Sequence, residues 1–167
     1  MSESTTMDDM KLSGGVEWAI HCCVVLSRMD GAVPAGKLAG LHDVSSSYLA
    51  KQMQALSRGG LVRSLQGHAG GYVLTRPADQ ISILDVVQAV EGKQPLFVCT
   101  EIRQRGPLGT PPEKCLTHCP IAIAMMTAET AWRDSLNKIT IGDLAHQVSS
   151  TSGPETFQTI QHWFAGA

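Results

Sequence analysis

The chain has 167 residues, of which 43% are hydrophobic and 17% are charged, with a formal net charge of −2 at pH 7. This length is enough for one domain with a sizeable core, and the composition is typical of a soluble globular protein. No apolar run approaches the roughly 20 residues needed to cross a bilayer. Residues 1–10 are polar and acidic, unlike a signal or transit peptide. We expect them to be a disordered lead-in to a cytoplasmic protein.

The next segment predicts three helices in the order of a helix-turn-helix. Ser13 is expected to cap a first helix over residues 14–29, which the Asp-Gly pair at 30–31 ends. A short helix over 34–41 and a third helix over 45–57 flank a tight turn at 42–44. Two helices joined by a turn of three or four residues are typical of a helix-turn-helix.

A β-hairpin is predicted directly after these helices. Short β-prone runs at 61–62 and 72–74 flank a glycine-rich tip over 66–71. A hairpin in this position is the wing of a winged helix-turn-helix, which we place over residues 11–77. A further apolar helix is expected over 81–92. The fold class predicted is therefore mostly α with a small β wing.

The charge distribution favours DNA as the partner of this region. Residues 34–77 contain five basic residues and one acidic residue, whereas the remainder of the chain is acidic. A basic segment in an acidic protein is expected where one surface contacts phosphates. A protein-interaction module is the alternative. The second helix of the motif would contact bases and the wing the minor groove; the candidate residues are Ser45, Ser47, Tyr48, Lys51, Gln52, Arg63, Gln66 and His68.

Residues 78–148 are expected to hold a linker helix, a cysteine-containing loop and a dimerisation helix. The stretch 93–117 has four prolines and no periodicity, and a loop of this length is usually functional. A helix of about 20 residues follows over 119–139, with an apolar stripe that a second copy would cover. This arrangement favours a homodimer. Residues 149–153 are expected to be a linker, and the tail over 149–167 either docks or forms a small amphipathic helix.

Three cysteines in and after this loop, Cys99, Cys115 and Cys119, suggest a metal site. In a reducing cytoplasm, clustered cysteines more often bind metal than form disulfides. Three thiolates are one short of the four that commonly hold zinc or an iron–sulfur cluster. The missing ligand could be His118, a residue of a second copy, or Glu17 with His21, which are i and i+4 on one helix face. Alternatively, Glu17 is solvated and His21 lies in the core; Cys22 and Cys23 are expected in the core.

Several segments carry a family resemblance: MKLSGGVEWAIHCCVVLS, SSSYLAKQMQALSRGGLVRSLQGHAGGYVLTRP and ISILDVVQAVEG. They resemble the winged-helix regulators that include the iron–sulfur cluster regulator IscR and the nitric-oxide sensor NsrR. The likeness covers about residues 10–148. Within the family, the E-W-x-x-H run at 17–21 is most similar to that of the redox-sensing regulator RsrR.

The resemblance implies a homodimer that binds palindromic promoter DNA and holds a [2Fe–2S] cluster between its subunits. Two cysteines would come from one chain, chosen as Cys115 and Cys119 with Cys99 as alternate, and Glu17 and His21 from the other. Trp18 would be the residue that switches when the cluster changes redox state. The alternatives are a nitric-oxide-sensing repressor with a [4Fe–4S] cluster and a metal-free thiol switch. The sequence contains no phosphate loop, nucleophile elbow or acid/base carboxylate pair, so we do not expect an enzyme.

Overall fold

The computed structural model describes residues 12–166, so the predicted lead-in over residues 1–10 lies outside the described residues. The fold within this range is mostly α with one two-stranded antiparallel sheet, which confirms the predicted fold class. In chain order the elements are α1 Gly14–Leu26, α2 Ala35–Leu41, α3 Ser46–Arg58, β1 Val62–Leu65, β2 Gly71–Leu74, α4 Ile83–Glu91, α5 Pro120–Asn137, α6 Ile141–Ser152 and α7 Thr156–Gly166.

The described chain forms two compact units. The first comprises the residues up to Lys93 together with those from Leu136 onward, and the second comprises Gln94–Ser135. Helix α1 lies at the centre of the first unit, because α3, α4 and α6 all pack against it. Its core residues include Ala19, Cys22 and Cys23, all fully buried, which confirms the expectation for the two cysteines.

The N-terminal end of α1 differs from the prediction in its hydrogen bonding. Ser13 occupies the N-cap position, but its side chain makes no capping hydrogen bond. Instead, the Ser13 hydroxyl and backbone N–H both donate to a carboxylate oxygen of Glu91, at 2.5 and 2.8 Å. The carboxylate thus joins the start of α1 to the end of α4. Helix α1 also ends at Leu26, three residues before the expected position.

The predicted helix-turn-helix and wing are both present. Helices α2 and α3 flank a turn at 42–44, and β1 pairs with β2 with Val62 opposite Leu74 and Leu65 opposite Gly71. The wing is attached to the helices by a bridge in which Val33 and Tyr72 exchange backbone hydrogen bonds of 3.0 and 2.9 Å. The bridge fixes the hairpin next to the start of α2.

The C-terminal region is more helical than predicted. Helix α6 continues to Ser152, so the expected linker over 149–153 is wrong for all but its last residue. Helix α7 packs against the other helices of the first unit: Phe157 is buried, and the Gln161 side chain donates to the Arg28 carbonyl oxygen at 2.8 Å. The Lys37 ammonium donates to the Phe164 carbonyl oxygen, which ties α7 to α2.

The second unit consists of an irregular loop and most of α5. Two short 3-10 turns, Ile102–Gln104 and Pro112–Lys114, are its regular elements before the helix. The start of the loop is attached to α5 because Glu129 accepts the Leu96 N–H at 3.0 Å, and Arg133 donates to the Gln94 carbonyl oxygen at 3.1 Å. Among residues 12–166, no helix is both long and apolar enough to span a membrane.

Candidate nucleic-acid interface and metal ligands

The N-terminal half of α3 presents a polar, exposed surface. The Ser45 hydroxyl caps the helix by accepting the Tyr48 N–H at 3.2 Å, and it lies 3.4 Å from the Ser47 hydroxyl. Ser45, Ser47, Tyr48 and Lys51 are all exposed. Hydroxyls at a helix N-terminus can hold phosphates, and Lys51 adds a positive charge within reach of the same groove. Four of the five residues predicted on this helix are therefore placed where DNA could contact them.

Gln52 is the exception, and its predicted role as a base reader is wrong. Its side chain is 5% exposed and packs on α1, where a Cβ at Gly15 would lie 2.5 Å from the Gln52 side-chain oxygen. The absence of a side chain at Gly15 creates the space that Gln52 fills. Gln52 consequently faces the core with Leu49 and Met53, and it cannot reach a base edge from this position.

The wing places the remaining predicted DNA contacts at the surface. Arg63 lies on β1, and Gln66 and His68 lie in the turn that joins β1 to β2; all three are exposed. Gly67, at φ 101°, gives this turn a backbone conformation that favours glycine. The turn therefore projects two polar side chains and lets the backbone approach a groove closely.

The cysteine loop brings together thiols that are twenty positions apart in the sequence. Cys119 precedes α5, whose first backbone N–H groups point toward it. Hydrogen bonds from the Ala122 and Ile121 N–H groups lower the pKa of the Cys119 thiol, and the Arg103 guanidinium and the Cys99 thiol act in the same direction. Cys99 is thus a neighbour of Cys119, although the sequence places it apart from the 115/119 pair.

Arg103 and Glu101 organise this loop, and sequence reasoning missed both. Glu101 accepts a 2.8 Å hydrogen bond from Arg103 and also contacts the Cys99 sulfur, 3.5 Å from the Glu101 N–H. Arg103 donates to the Thr117 carbonyl oxygen at 2.6 Å. The Cys115 thiol lies 3.9 Å from the Thr110 carbonyl oxygen. A guanidinium held between the two chain segments thus provides a positive charge close to the sulfurs of Cys115 and Cys119.

The other predicted ligands lie on α1. Glu17 and His21 are both exposed, so the alternative that His21 lies in the core is wrong. Neither forms a hydrogen bond or an ion pair with any residue of the described range. They border a shallow depression of about 390 Å³ that runs from Leu12 to His21 and is mainly apolar. A carboxylate and an imidazole thus lie on one face of α1 without a hydrogen-bond or ion-pair partner among the described residues.

His42, in the turn of the helix-turn-helix, contacts the same face of α1. Its ring centroid lies 5.8 Å from that of Trp18 and 5.7 Å from that of His21. Its Nε2 atom is buried and has no hydrogen-bond partner among the described residues. Burial, and then the proximity of His21, lower the pKa of His42 below its ordinary value. The sequence predicts His42 only as a turn residue, because its contacts depend on how α2 packs on α1.

The candidate ligands belong to different units of one chain. Glu17 and His21 lie in the first unit and the three loop cysteines in the second. Within residues 12–166, no group of three or more His, Cys, Asp or Glu side chains is close enough to hold a metal ion. The donor types nevertheless suit iron: thiolate and imidazole bind iron–sulfur clusters, and a carboxylate is a further oxygen donor.

Comparisons with known proteins assign this architecture. The family model Rrf2, described as iron-dependent transcriptional regulator, matches residues 12–147. The chain belongs to the Rrf2 family. The match contains the helix-turn-helix, the wing, the cysteine loop and the long helix α5. It confirms the predicted resemblance at the level of the family.

Individual proteins are similar to this chain in sequence and in structure. The transcriptional regulator IscR of Cronobacter sakazakii is 32% identical over 146 residues, which is 82% of this chain and 81% of that protein. The structure of CymR (YrzC), the global cysteine regulator of B. subtilis, superposes with a TM-score of 0.61 at 25% identity, covering 82% of this chain and 97% of that one. The T. potens IscR structure shares the fold, with a TM-score of 0.65 at 18% identity over 89% of this chain and 96% of that one. The chain is a DNA-binding transcriptional regulator and not an enzyme.

Proposed function

We propose that this Rrf2 protein is a homodimer that senses redox state through a [2Fe–2S] cluster at the subunit interface and adjusts its DNA binding accordingly. The observation that carries the proposal is the pair of exposed side chains on α1, Glu17 and His21, which have no hydrogen-bond or ion-pair partner within the described chain. Both line a mainly apolar depression. A second subunit would complete the site by adding thiolate donors to this carboxylate and imidazole.

The loop cysteines supply the complementary donors. Cys115 and Cys119 of the second subunit would bind through thiolates, and Cys99, a neighbour of Cys119, is the alternate. The backbone N–H groups at the start of α5 and the Arg103 guanidinium favour the thiolate form of Cys119. Bound there, the cluster would supply reversible one-electron chemistry. Replacing two thiolates by a carboxylate and an imidazole leaves less negative charge on the irons, which raises the reduction potential.

Helix α5 supports the homodimer. Its surface carries large apolar side chains in water: Ile121, Ile123 and Met126 are 67, 51 and 55% exposed. Such a surface on a single helix usually marks an interface. A dimer with two-fold symmetry would present two recognition helices about 34 Å apart, which suits a palindromic site.

Trp18 is the proposed switch. Trp18 lies between the two α1 ligands in the sequence, and its side chain is half-buried. Its ring contacts His42 of the helix-turn-helix. A change in its position would displace α2 and α3 relative to the second subunit. Because both recognition helices must fit one duplex, a displacement of about 1–2 Å per subunit would abolish tight binding. We expect the oxidised protein to bind DNA and the reduced protein to release it.

Absorbance and EPR spectra of anaerobically purified protein test the proposal. We expect a coloured protein with an EPR signal that appears on reduction by dithionite, and DNA binding in a gel shift that dithionite removes. Glu17→Ala and His21→Ala should change the spectrum, and Glu155→Ala, on the surface of the same unit, should not. Spectra that neither ligand substitution alters would exclude this ligand set.

Two other mechanisms remain as outcomes of the same experiment. A spectrum of the [4Fe–4S] type that nitric oxide bleaches would indicate the nitric-oxide-sensing repressor. A colourless protein whose DNA affinity follows thiol oxidation would indicate the metal-free switch. The lowered pKa of Cys119 is the observation that favours the metal-free thiol switch, because the thiolate is the reactive form of a cysteine.

A further inference from the structure

Helix α7 lies beyond the segment that the Rrf2 family model matches. The match ends at residue 147, whereas α7 spans Thr156–Gly166. Four side chains at i, i+3, i+4 and i+7 form the inward face of this helix; they are the buried Phe157 and the half-buried Ile160, Gln161 and Phe164. The helix is therefore a packed part of the first unit, and the family match assigns it no role.

Helix α7 packs on α2, the first helix of the helix-turn-helix, and on the segment before it. The Gln161 side chain donates to the Arg28 carbonyl oxygen at 2.8 Å, and the Arg28 guanidinium lies 5.8 Å from the centroid of the Phe157 ring. Trp163 lies against α2 at Gly40, where a Cβ would be 3.2 Å from the indole ring. The absence of a side chain at Gly40 thus lets the indole approach α2 closely.

The end of α7 holds the Lys37 side chain. The Lys37 ammonium donates to the Phe164 carbonyl oxygen, and the side chain is half-buried. Phe164 lies in the last turn of α7, where carbonyl groups have no partner within the helix and carry the negative end of its dipole. Within residues 12–166, Lys37 forms no ion pair with a carboxylate. The carbonyl of α7 is therefore the partner that keeps this cation in place.

Lys37 also lies where a helix-turn-helix meets the DNA backbone. In this motif the first helix crosses the phosphate backbone while the second helix enters the major groove. Lys37 is the third residue of α2, and the bridge between Val33 and Tyr72 puts the start of α2 next to the wing. A lysine at this position can bind a phosphate through the same ammonium that now donates to α7. A phosphate contact would draw that ammonium away from Phe164.

We infer that Lys37 is a further phosphate-binding residue of the DNA-binding surface and that α7 restrains it, which lowers the affinity for DNA. Loosening α7 then strengthens DNA binding, and by reciprocity DNA loosens α7 by the same factor. The inference needs the DNA binding of the family and not the cluster. A colourless protein would therefore overturn the proposed function and leave this inference standing.

A double-mutant cycle tests the coupling. Phe157→Ala loosens α7, Lys37→Gln removes the ammonium, and dissociation constants are measured for holoprotein with a duplex selected from a random library by the wild type. We expect F157A to bind DNA at least about fivefold more tightly than the wild type. Its log–log salt dependence should steepen by about 2, because each of two subunits adds one phosphate contact. K37Q should change the wild-type affinity less than about twofold and remove the whole gain in the F157A background.

Two further variants and a second readout complete the test. Gln161→Ala loosens the same packing without opening the core, and it replaces F157A if that variant does not fold. Gln158→Ala, at an exposed glutamine of α7, is the matched control and should leave the affinity unchanged. Hydrogen exchange in residues 156–166 should speed up on DNA binding in the wild type and stay unchanged in K37Q.

Three results would overturn the inference. The first is a loosened α7 that does not tighten DNA binding. The second is a K37Q effect of equal size in the wild-type and F157A backgrounds, which would mean that α7 does not restrain Lys37. The third is slower exchange in residues 156–166 when DNA binds the wild type, which would mean that DNA and α7 stabilise each other.

Discussion

Gly71 at the start of β2 is the position where the structure makes its sharpest steric prediction. Its φ of 148° lies in the region that favours glycine. A Cβ at this position would lie 2.5 Å from the Val33 carbonyl oxygen and 2.6 Å from the Pro34 nitrogen. Real Cβ contacts stay beyond 3.0 Å, so the strand would have to move by about 0.5 Å. Gly71→Ala therefore forces β2 away from the segment that precedes α2.

The cost follows from what that movement breaks. Forcing an extra methyl group against backbone costs about 1–3 kcal/mol. The adjacent bridge between Val33 and Tyr72 consists of two hydrogen bonds, each worth about 1 kcal/mol when lost. Part of this cost is shared, so we expect G71A to lower the free energy of unfolding by about 3 kcal/mol. Because the bridge holds the wing, DNA affinity should fall as well.

Urea unfolding of the cluster-free protein, followed by far-ultraviolet circular dichroism at fixed protein concentration, measures the effect. Gly36→Ala is the matched control. Gly36 lies in α2, and a Cβ there would meet nothing within 4 Å. An alanine in a helix is favoured over glycine by roughly 0.5–1 kcal/mol, so G36A should be neutral or stabilising. A G71A protein within about 0.5 kcal/mol of the wild type would show that the wing does not sit against Val33.

Three further outcomes are expected. Burial raises the pKa of Cys22 to about 12 and raises that of Cys23 further. Ellman's reagent at pH 8 should therefore titrate three of the five cysteines in the native cluster-free protein and all five after denaturation. A fourth reactive thiol in the native protein would contradict the burial of these two cysteines. Phe157→Ala, at a side chain 7% exposed, should destabilise α7 by about 3–5 kcal/mol and speed hydrogen exchange in residues 156–166, whereas unchanged exchange would mean that α7 is not docked. Ser82→Ala removes the capping box of α4 and should cost about 1 kcal/mol in urea unfolding; no loss would argue against this cap.

The sequence predicted the winged helix-turn-helix well because its signals are local. Helical spacing of apolar residues placed α3, and the glycine-rich tip between two β-prone runs placed the wing. Gln52 shows the limit of residue type as a guide to exposure. Leu49, Gln52, Met53 and Leu56 follow the i, i+3, i+4, i+7 pattern of a buried face, so the spacing alone placed Gln52 inward.

The C-terminal part of α6 was mispredicted for a different physical reason. Ser149, Ser150 and Thr151 were interpreted as a linker because such residues favour turns. In the structure their hydroxyls donate to carbonyl oxygens four residues earlier, at 3.1, 3.0 and 2.9 Å. The side chains thereby satisfy themselves on the helix backbone, and the helix continues until Gly153, at φ 99°, ends it.

The cysteine loop could not be predicted in detail because no periodic pattern governs it. Its arrangement depends on one pair, Glu101 and Arg103, which contacts both the Cys99 segment and the Thr117 carbonyl oxygen. From the sequence, only the charges of the donor side chains themselves can be used to estimate the reduction potential. The structure adds a guanidinium near the Cys115 and Cys119 sulfurs. A fixed positive charge favours the more negative redox state of any centre bound by those sulfurs, so the reduction potential should lie higher than the mixed ligand set alone implies.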